Sequence, residues 1–137
     1  MTFETGLRSR LKADASIDAI IGKKDGAPSI DWKERREGAP FPAIVLEIAF
    51  GDRSQHMGGF NVFQSFRTQF RCTADNPKSA SELRDAVIAC IAPEATEGDV
   101  KFLRAQGIRH FGRVEKSTAA TLHHEFVEAE IWSGPAT

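Results

Sequence analysis

Residues 38–48 read GAPFPAIVLEI, a proline-containing segment that runs directly into a row of apolar residues. Each proline fixes its own φ near about −65° and pushes the residue before it towards an extended conformation. The backbone therefore leads into the apolar row already stretched, and we predict a strand over residues 42–50. Because this stretch carries no catalytic motif, its pattern indicates an architectural role.

The strand that follows is predicted to be the longest in the chain. Its residues alternate between a core-facing set (Phe66, Thr68, Phe70 and Cys72) and a solvent-facing, basic set (Arg67, Gln69, Arg71 and Thr73). A two-residue period of this kind favours an antiparallel sheet with one face covered by helices.

A glycine-bearing segment, Gly51 to Gly59, separates these two strands. It is too long for a tight hairpin turn, and we expect it to project as a loop. Its glycines allow it to reorder on contact with a partner. A loop without a binding role remains the alternative. The docking-loop candidates are Asp52, Arg53, His56, Met57, Gly58 and Gly59.

Helical patterns lie on either side of the two strands. Apolar residues at helical spacing predict an amphipathic helix that ends near Gly22 and breaks near Ala15, where Ser16 can cap the second piece. Asn76 as N-cap and Pro77 at the first position begin a second main helix, which Pro93 ends. Both helices carry an apolar stripe for the sheet.

The remaining segments are assigned by their shorter patterns. We expect turns over residues 23–28, a short strand or extended connector over 29–32, and a charged loop over 33–37. The last third predicts strands over 100–104, 108–114 and 122–132, with a loop over 115–121. The order of elements indicates an α+β fold: one domain with a mostly antiparallel or mixed sheet and two main helices on one face.

Composition excludes several classes of function. The 137 residues include 18 basic and 19 acidic side chains, so no net charge attracts DNA or an anionic membrane. No apolar run reaches membrane-spanning length, and residues 1–4 lack the features of a signal peptide. Cys72 and Cys90 have no metal-binding spacing and are interpreted as buried thiols in a reducing compartment, the cytoplasm.

An enzyme would have to rely on the histidines. His123, His124 and Glu125 are metal-ligand types, and His56 or His110 could complete a site. Neighbouring strand residues point to opposite faces, however, so only His123 and Glu125 can share one. The chain has no phosphate-binding loop, nucleophile elbow or zinc-helix motif. We therefore predict no enzyme, no metal and no cofactor.

The order of these parts resembles the tail-completion, or tail-terminator, proteins of long-tailed bacteriophages, prophages and gene-transfer particles. The matching pieces span most of the chain: the opening helix, the GAPFPAIV segment at 38–45, Gly58-Gly59, residues 69–73 before the second helix, and the closing FVEAEIW at 126–132. Two features depart from the family pattern. No Asp-Gly pair precedes the last strand, and residues 94–98 have no counterpart.

The resemblance implies a structural virion protein. Such proteins form rings, usually hexameric, at the head-proximal end of the tail tube, where they stop polymerisation and dock to the head-side connector. The implied partners are further copies of the chain, the major tail-tube protein, the connector or stopper protein, and genome DNA that passes without sequence-specific binding. The implied location is the tail–neck junction of a virion assembled in the host cytoplasm. A head-completion protein or another neck adaptor is the alternative.

A ring needs two different, complementary patches on each subunit. Residues 100–116 carry five basic side chains and one acid, a net +4, whereas residues 123–130 carry three acids and no Lys or Arg. Charges of opposite sign would set the register between subunits. Alternatively, these charged residues lie on strand faces that contact only solvent, or the basic ones line the lumen of the ring. The interface candidates are Arg67, Arg71, Arg104, Arg109, Arg113, Glu125, Glu128 and Glu130.

Overall fold

A computed structural model describes residues 2–52, 55–56, 59–60 and 63–136. Its N-terminal part holds two helices, α1 (Phe3–Ala13) and α2 (Ala15–Ile20). The predicted break near Ala15 is confirmed, but the predicted cap is wrong. Asp14, not Ser16, caps α2, because its Oδ1 accepts a hydrogen bond from the Ile17 backbone N at 3.0 Å.

α2 ends just before Gly22, as predicted, and Gly22 has a second role. The Gly22 N–H donates to the Pro42 carbonyl at 2.8 Å, and a β-carbon at Gly22 would lie 2.6 Å from the Pro40 carbonyl oxygen. The glycine thus permits a close backbone approach between the end of α2 and the proline segment. This approach places the start of the next strand against the helices.

The strands form one large sheet and two short hairpins. The sheet order is β3-β4-β7-β11-β9-β8, and β10 also pairs with β11. Only β3 and β4 are parallel; the other pairs in this sheet are antiparallel. The strands are β1 (Lys23–Lys24), β2 (Ala27–Pro28), β3 (Ile30–Trp32), β4 (Ala43–Asp52), β5 (Gln55–His56), β6 (Gly59–Phe60), β7 (Gln64–Ala74), β8 (Ala95–Glu97), β9 (Val100–Phe102), β10 (Gln106–Lys116) and β11 (Thr121–Pro135).

A third helix, α3 (Pro77–Ile91), packs with α1 and α2 on one face of the sheet, which confirms the α+β fold. Asn76 caps it and Pro77 begins it, as predicted. The strict alternation of β7 delivers Thr68, Phe70 and Cys72, all fully buried, to the helix side. Leu46 of β4 and Val127 of β11 are the register partners of Phe70 and join it in the same core.

Arg10 links α1 to the end of α3. Its Nη2 donates to the carbonyls of Cys90 and Pro93, and its guanidinium lies 5.4 Å from the centre of the Phe102 ring. A buried cation thus binds carbonyls at and just beyond the helix C-terminus, where the helix dipole is negative. Desolvation by burial lowers the pKa of Arg10 from its usual value.

The last third of the chain differs from the prediction in three ways. β8, which was not predicted, pairs with β9. β10 and β11 are both longer than predicted, and only Ser117–Ala120 connect them, closed by a Ser117 N to Ala120 O hydrogen bond of 2.9 Å. Alternation continues through Glu115 and Lys116, so three of the seven residues in the predicted loop over 115–121 belong to strands, and the loop is shortened to four residues. In the described part of the chain, no helix is long and apolar enough to cross a membrane.

Candidate interaction surface

The sheet has one face against the helices and one face opposite them, which we call the outer face. Val45, Arg71 and Phe126 lie side by side on the outer face, because Arg71 is the register partner of the other two. Arg67 and Gln69 share this face. Arg67, Gln69 and Arg71 are partly exposed, as predicted, whereas Thr73, the fourth residue predicted to face solvent, is buried beside His124.

Glu128 forms the centre of an ionic cluster on the outer face. Its Oε2 lies 2.8 Å from Arg109 Nη2 and 3.6 Å from Arg67 Nη2, and its Oε1 accepts from Gln69 Nε2 at 3.3 Å. Three candidate interface residues are therefore paired within a single subunit, where one carboxylate is shared by two guanidinium groups. They join β7, β10 and β11, and their part in contacts between subunits stays a prediction.

The three candidate acids of β11 lie on two different faces. Glu128 and Glu130 are on the outer face, whereas Glu125 is on the helix side, where its Oε1 lies 3.4 Å from Arg84 Nη1 of α3. The acidic cluster predicted from sequence is therefore divided by the pleat of the strand. Within the described residues, Glu130 makes no ion pair and is the free acid of the set.

The remaining basic candidates have different surroundings. The Arg113 guanidinium lies 5.5 Å from the centre of the Phe126 ring, a cation–π contact on the outer face. Arg104 is exposed in the connection between β9 and β10. Arg71 is half-buried, and its Nε is enclosed with no hydrogen-bond partner in the described structure.

His124 is the most buried ionisable side chain of β11. Its Nδ1 lies 2.8 Å from Thr73 Oγ1, and its Nε2 lies 2.8 Å from Glu115 Oε2. This chain of contacts joins three adjacent strands. Among the described residues, no group of three His, Cys, Asp or Glu side chains is placed to hold a metal ion. His123 points to the other face, as the alternation of a strand requires.

β10 has an edge that no other described strand covers. It pairs only with β11, and all but one of its eleven residues are exposed. β9 and β10 pair with successive parts of β11, and β8 covers the outer edge of β9 alone. Phe111 and Val114 are 48% and 52% exposed, on opposite faces. Long uncovered edges with apolar side chains favour pairing with another chain.

The proposed docking loop is described only in part. Asp52 ends β4, and His56 pairs with Gly59 between the short strands β5 and β6. Arg53, Met57 and Gly58 lie outside the described residues. The segment predicted as loop therefore contains a small hairpin, and the docking role stays a prediction.

Two surface residues were missed by sequence reasoning. The sequence predicts Phe111 only as a residue of a strand and Glu115 as part of a loop. The alternation of Arg109, Phe111, Arg113 and Glu115 was the available signal for a common face. The sequence contains no signal for the exposure of Phe111, because this exposure depends on the position of β10 at the edge of the sheet.

Comparisons with known proteins show a similarity of fold and no match to a protein family or a curated sequence. No protein-family model matches the chain, and no curated protein sequence matches it. Among solved structures, the chain is similar to one in the virion of a native gene transfer agent (GTA) particle, with a TM-score of 0.59 and 15% identity. The similarity covers 96% of this chain and 95% of that one, so the two share a fold from end to end.

Proposed function

We propose that the chain is a structural virion protein that forms a ring, hexameric in its closed state, at the head-proximal end of a phage or phage-like tail tube. There it stops polymerisation of the tube protein and docks to the head-side connector, while genome DNA passes through the lumen without sequence-specific binding. This places it at the tail–neck junction after assembly in the host cytoplasm. The role requires no catalysis and no cofactor.

The observation that carries this proposal is the fold similarity to a chain of a gene transfer agent virion over nearly the full length of both chains. The order of motifs along the sequence supports the same assignment independently, because it resembles tail terminators in the opening helix, the proline segment and the closing strand.

The uncovered edge of β10 supports contacts between subunits. Its exposed backbone groups can pair with an extended segment of a neighbouring subunit, and Phe111 and Val114 supply apolar contact on either face. In a ring this edge would meet a different part of the next subunit, since a head-to-tail contact joins two unlike surfaces.

The decisive experiment measures native mass, first with the chain alone and then with the cognate tail-tube protein, followed by negative-stain imaging. Six copies of the 15.1 kDa chain give about 91 kDa. Rings of that mass at tube ends support the proposal. Because the tube can reinforce weak ring contacts, a monomer in dilute solution does not contradict it. A chain that ignores the tube but binds a portal or connector protein would instead indicate a head-completion protein or neck adaptor.

A variant of β10 tests the proposed contact. Val114→Lys adds a charge to an exposed edge position, so we expect the folded subunit to persist and ring formation to be lost. Ala89→Lys adds the same charge to an exposed position of α3 and should leave rings intact. Rings that form equally well with both variants would remove β10 from the interface.

A further inference from the structure

One arginine side chain on the outer face has no hydrogen-bond or ion-pair partner among the residues that the structure describes. Arg71 lies in the middle of β7, between Val45 of β4 and Phe126 of β11. Its Nε is buried and donates to nothing in the described structure, and no ion pair of Arg71 is found there either. A buried donor without an acceptor costs free energy, of the order of 1–3 kcal/mol, so such groups call for an explanation.

Four other arginines of the chain use their Nε as a hydrogen-bond donor. The Nε of Arg8 donates to a backbone carbonyl at 2.7 Å, and the Nε atoms of three more donate to carboxylates at 3.0–3.2 Å. Those three are Arg36, Arg84 and Arg109. The buried Nε of Arg71 therefore lacks the oxygen acceptor that these four Nε atoms have.

A small pocket of about 170 Å³ lies beside Arg71 and is lined by a second arginine, Arg35. Arg35 is held in place from two sides: its guanidinium lies 4.4 Å from the centre of the Phe41 ring, and its Nη1 donates to the Ala39 carbonyl. The acid of the pocket, Glu115, is bound to His124. The pocket thus holds two guanidinium groups and one carboxylate that is already engaged.

We infer that this pocket binds a carboxylate side chain, Asp or Glu, presented by a partner protein. The Nε of Arg71 is enclosed in this structure, so the side chain must turn to present it; a carboxylate then supplies the missing acceptor and forms the two-pronged pairing that arginine favours. The inference holds for any protein partner and does not rest on the ring or its place in the tail.

The surroundings favour a single carboxylate over the phosphates of DNA. On the outer face, Glu47 of β4 and Glu128 and Glu130 of β11 alternate with the arginines of the neighbouring strands β7 and β10, so positive charge is not continuous across it. A DNA backbone needs several cations in a row to displace its counterions. One carboxylate fits a small pocket with two guanidinium groups.

The test uses the intact chain and the free carboxylate ion acetate. Sodium acetate is titrated into ¹⁵N-labelled protein while sodium chloride keeps ionic strength constant, and the arginine Nε–Hε signals are recorded by NMR. Arg71→Lys identifies the Arg71 signal by its loss. We expect a saturable shift of that signal and none for Arg84, whose Nε is already bonded to Asp85 at 3.0 Å. Equal shifts of both signals, or no shift of Arg71, would overturn the inference.

Two further measurements separate the pocket from general charge effects. Arg35→Gln should weaken acetate binding at least threefold, whereas Lys12→Gln, on an exposed part of α1, should leave it unchanged. A 20-base-pair duplex, added at the same ionic strength, should not move the Arg71 signal. A duplex that moves it where acetate does not would overturn the inference in favour of a nucleic-acid contact.

Discussion

Phe111 of β10 stacks on Phe126 of β11, with the ring centres 4.8 Å apart and the ring planes within 11° of parallel. The pair is unequal, because Phe111 is 48% exposed and Phe126 only 7%. Phe111 therefore acts as a cover for a ring that would otherwise face solvent on the outer face. This contact holds the edge strand against the sheet by apolar packing as well as by backbone hydrogen bonds.

Replacement of Phe111 by alanine should lower the free energy of unfolding by about 1–2 kcal/mol, from lost stacking and from exposure of Phe126. Urea denaturation measures the change. Val114→Ala, at a similarly exposed position of the same strand, should cost less, about 0.5 kcal/mol, because it removes two exposed methyl groups and no aromatic stack. Equal losses for the two variants would show that the stack does not stabilise the edge.

Glu128→Gln should destabilise the subunit by about 1–2 kcal/mol, since it removes the shared counter-ion of Arg67 and Arg109. The loss should shrink in high salt, which screens the two unpaired arginines from each other. Glu130→Gln is the matched control: it lies on the same strand and face and has no ion pair among the described residues, so its effect should stay below about 0.5 kcal/mol. Thermal denaturation at low and high salt compares the two.

Gly22→Ala should cost more than about 2 kcal/mol, because the new β-carbon would lie 2.6 Å from the Pro40 carbonyl oxygen and backbone would have to move. Gly6→Ala provides a graded comparison. There the nearest atom is a side-chain carbon of Val100 at 3.2 Å, and a helical alanine is favoured over glycine by about 1 kcal/mol, so the net change should be near zero. Similar unfolding midpoints for both variants would contradict the close approach at Gly22.

The two thiols should resist modification in the folded chain. Cys72 is fully buried and Cys90 is 9% exposed. Burial raises the pKa of both thiols, to about 11 for Cys90. Ellman's reagent at pH 8 should therefore label neither cysteine in buffer and both in 8 M urea. A fast-reacting thiol in buffer would show that one of the two sites opens readily.

Because the pKa of the Cys90 thiol is raised, the free energy of unfolding should vary with pH in the alkaline range. An unfolded thiol loses its proton near about pH 8.5, whereas folded Cys90 keeps it until about pH 11. The contribution of the Cys90 thiol to the free energy of unfolding is complete below about pH 8.5. It is lost as pH rises towards 11, because the unfolded state then binds fewer protons than the folded state. Cys90→Ala should give a shallower decline of the unfolding free energy over this range. The chain has no tyrosine to titrate in the same window.

The α+β fold was predictable because its main signals are local. The alternation of β7, the proline segment before β4 and the Asn76-Pro77 start of α3 each depend on neighbouring residues alone, and each prediction is confirmed. β8 was missed because three residues of mixed polarity form a strand only by pairing with β9. The Gly22 contact was missed because Pro40 approaches it only after folding.

The candidate surface was less predictable than the fold. Charge counts along the sequence identified Arg67, Arg109 and Glu128, but not that the three bind one another across adjacent strands. Strand order decides which side chains become neighbours, and therefore which charges pair within a subunit. It also leaves the buried Nε of Arg71 without an acceptor among the described residues. A residue count along one strand contains no information on its neighbours.

The position of β11 has a consequence for the order of folding during synthesis. β11 separates β7 from β9 and β10, although it follows all three in the chain. Until the ribosome releases residues 121–135, β7 has an open edge and β10 has no partner, so the sheet cannot close from the N-terminus onwards. We expect a nascent chain stalled before Thr121 to be protease-sensitive, and synthesis through β11 to bring the whole sheet together in one step.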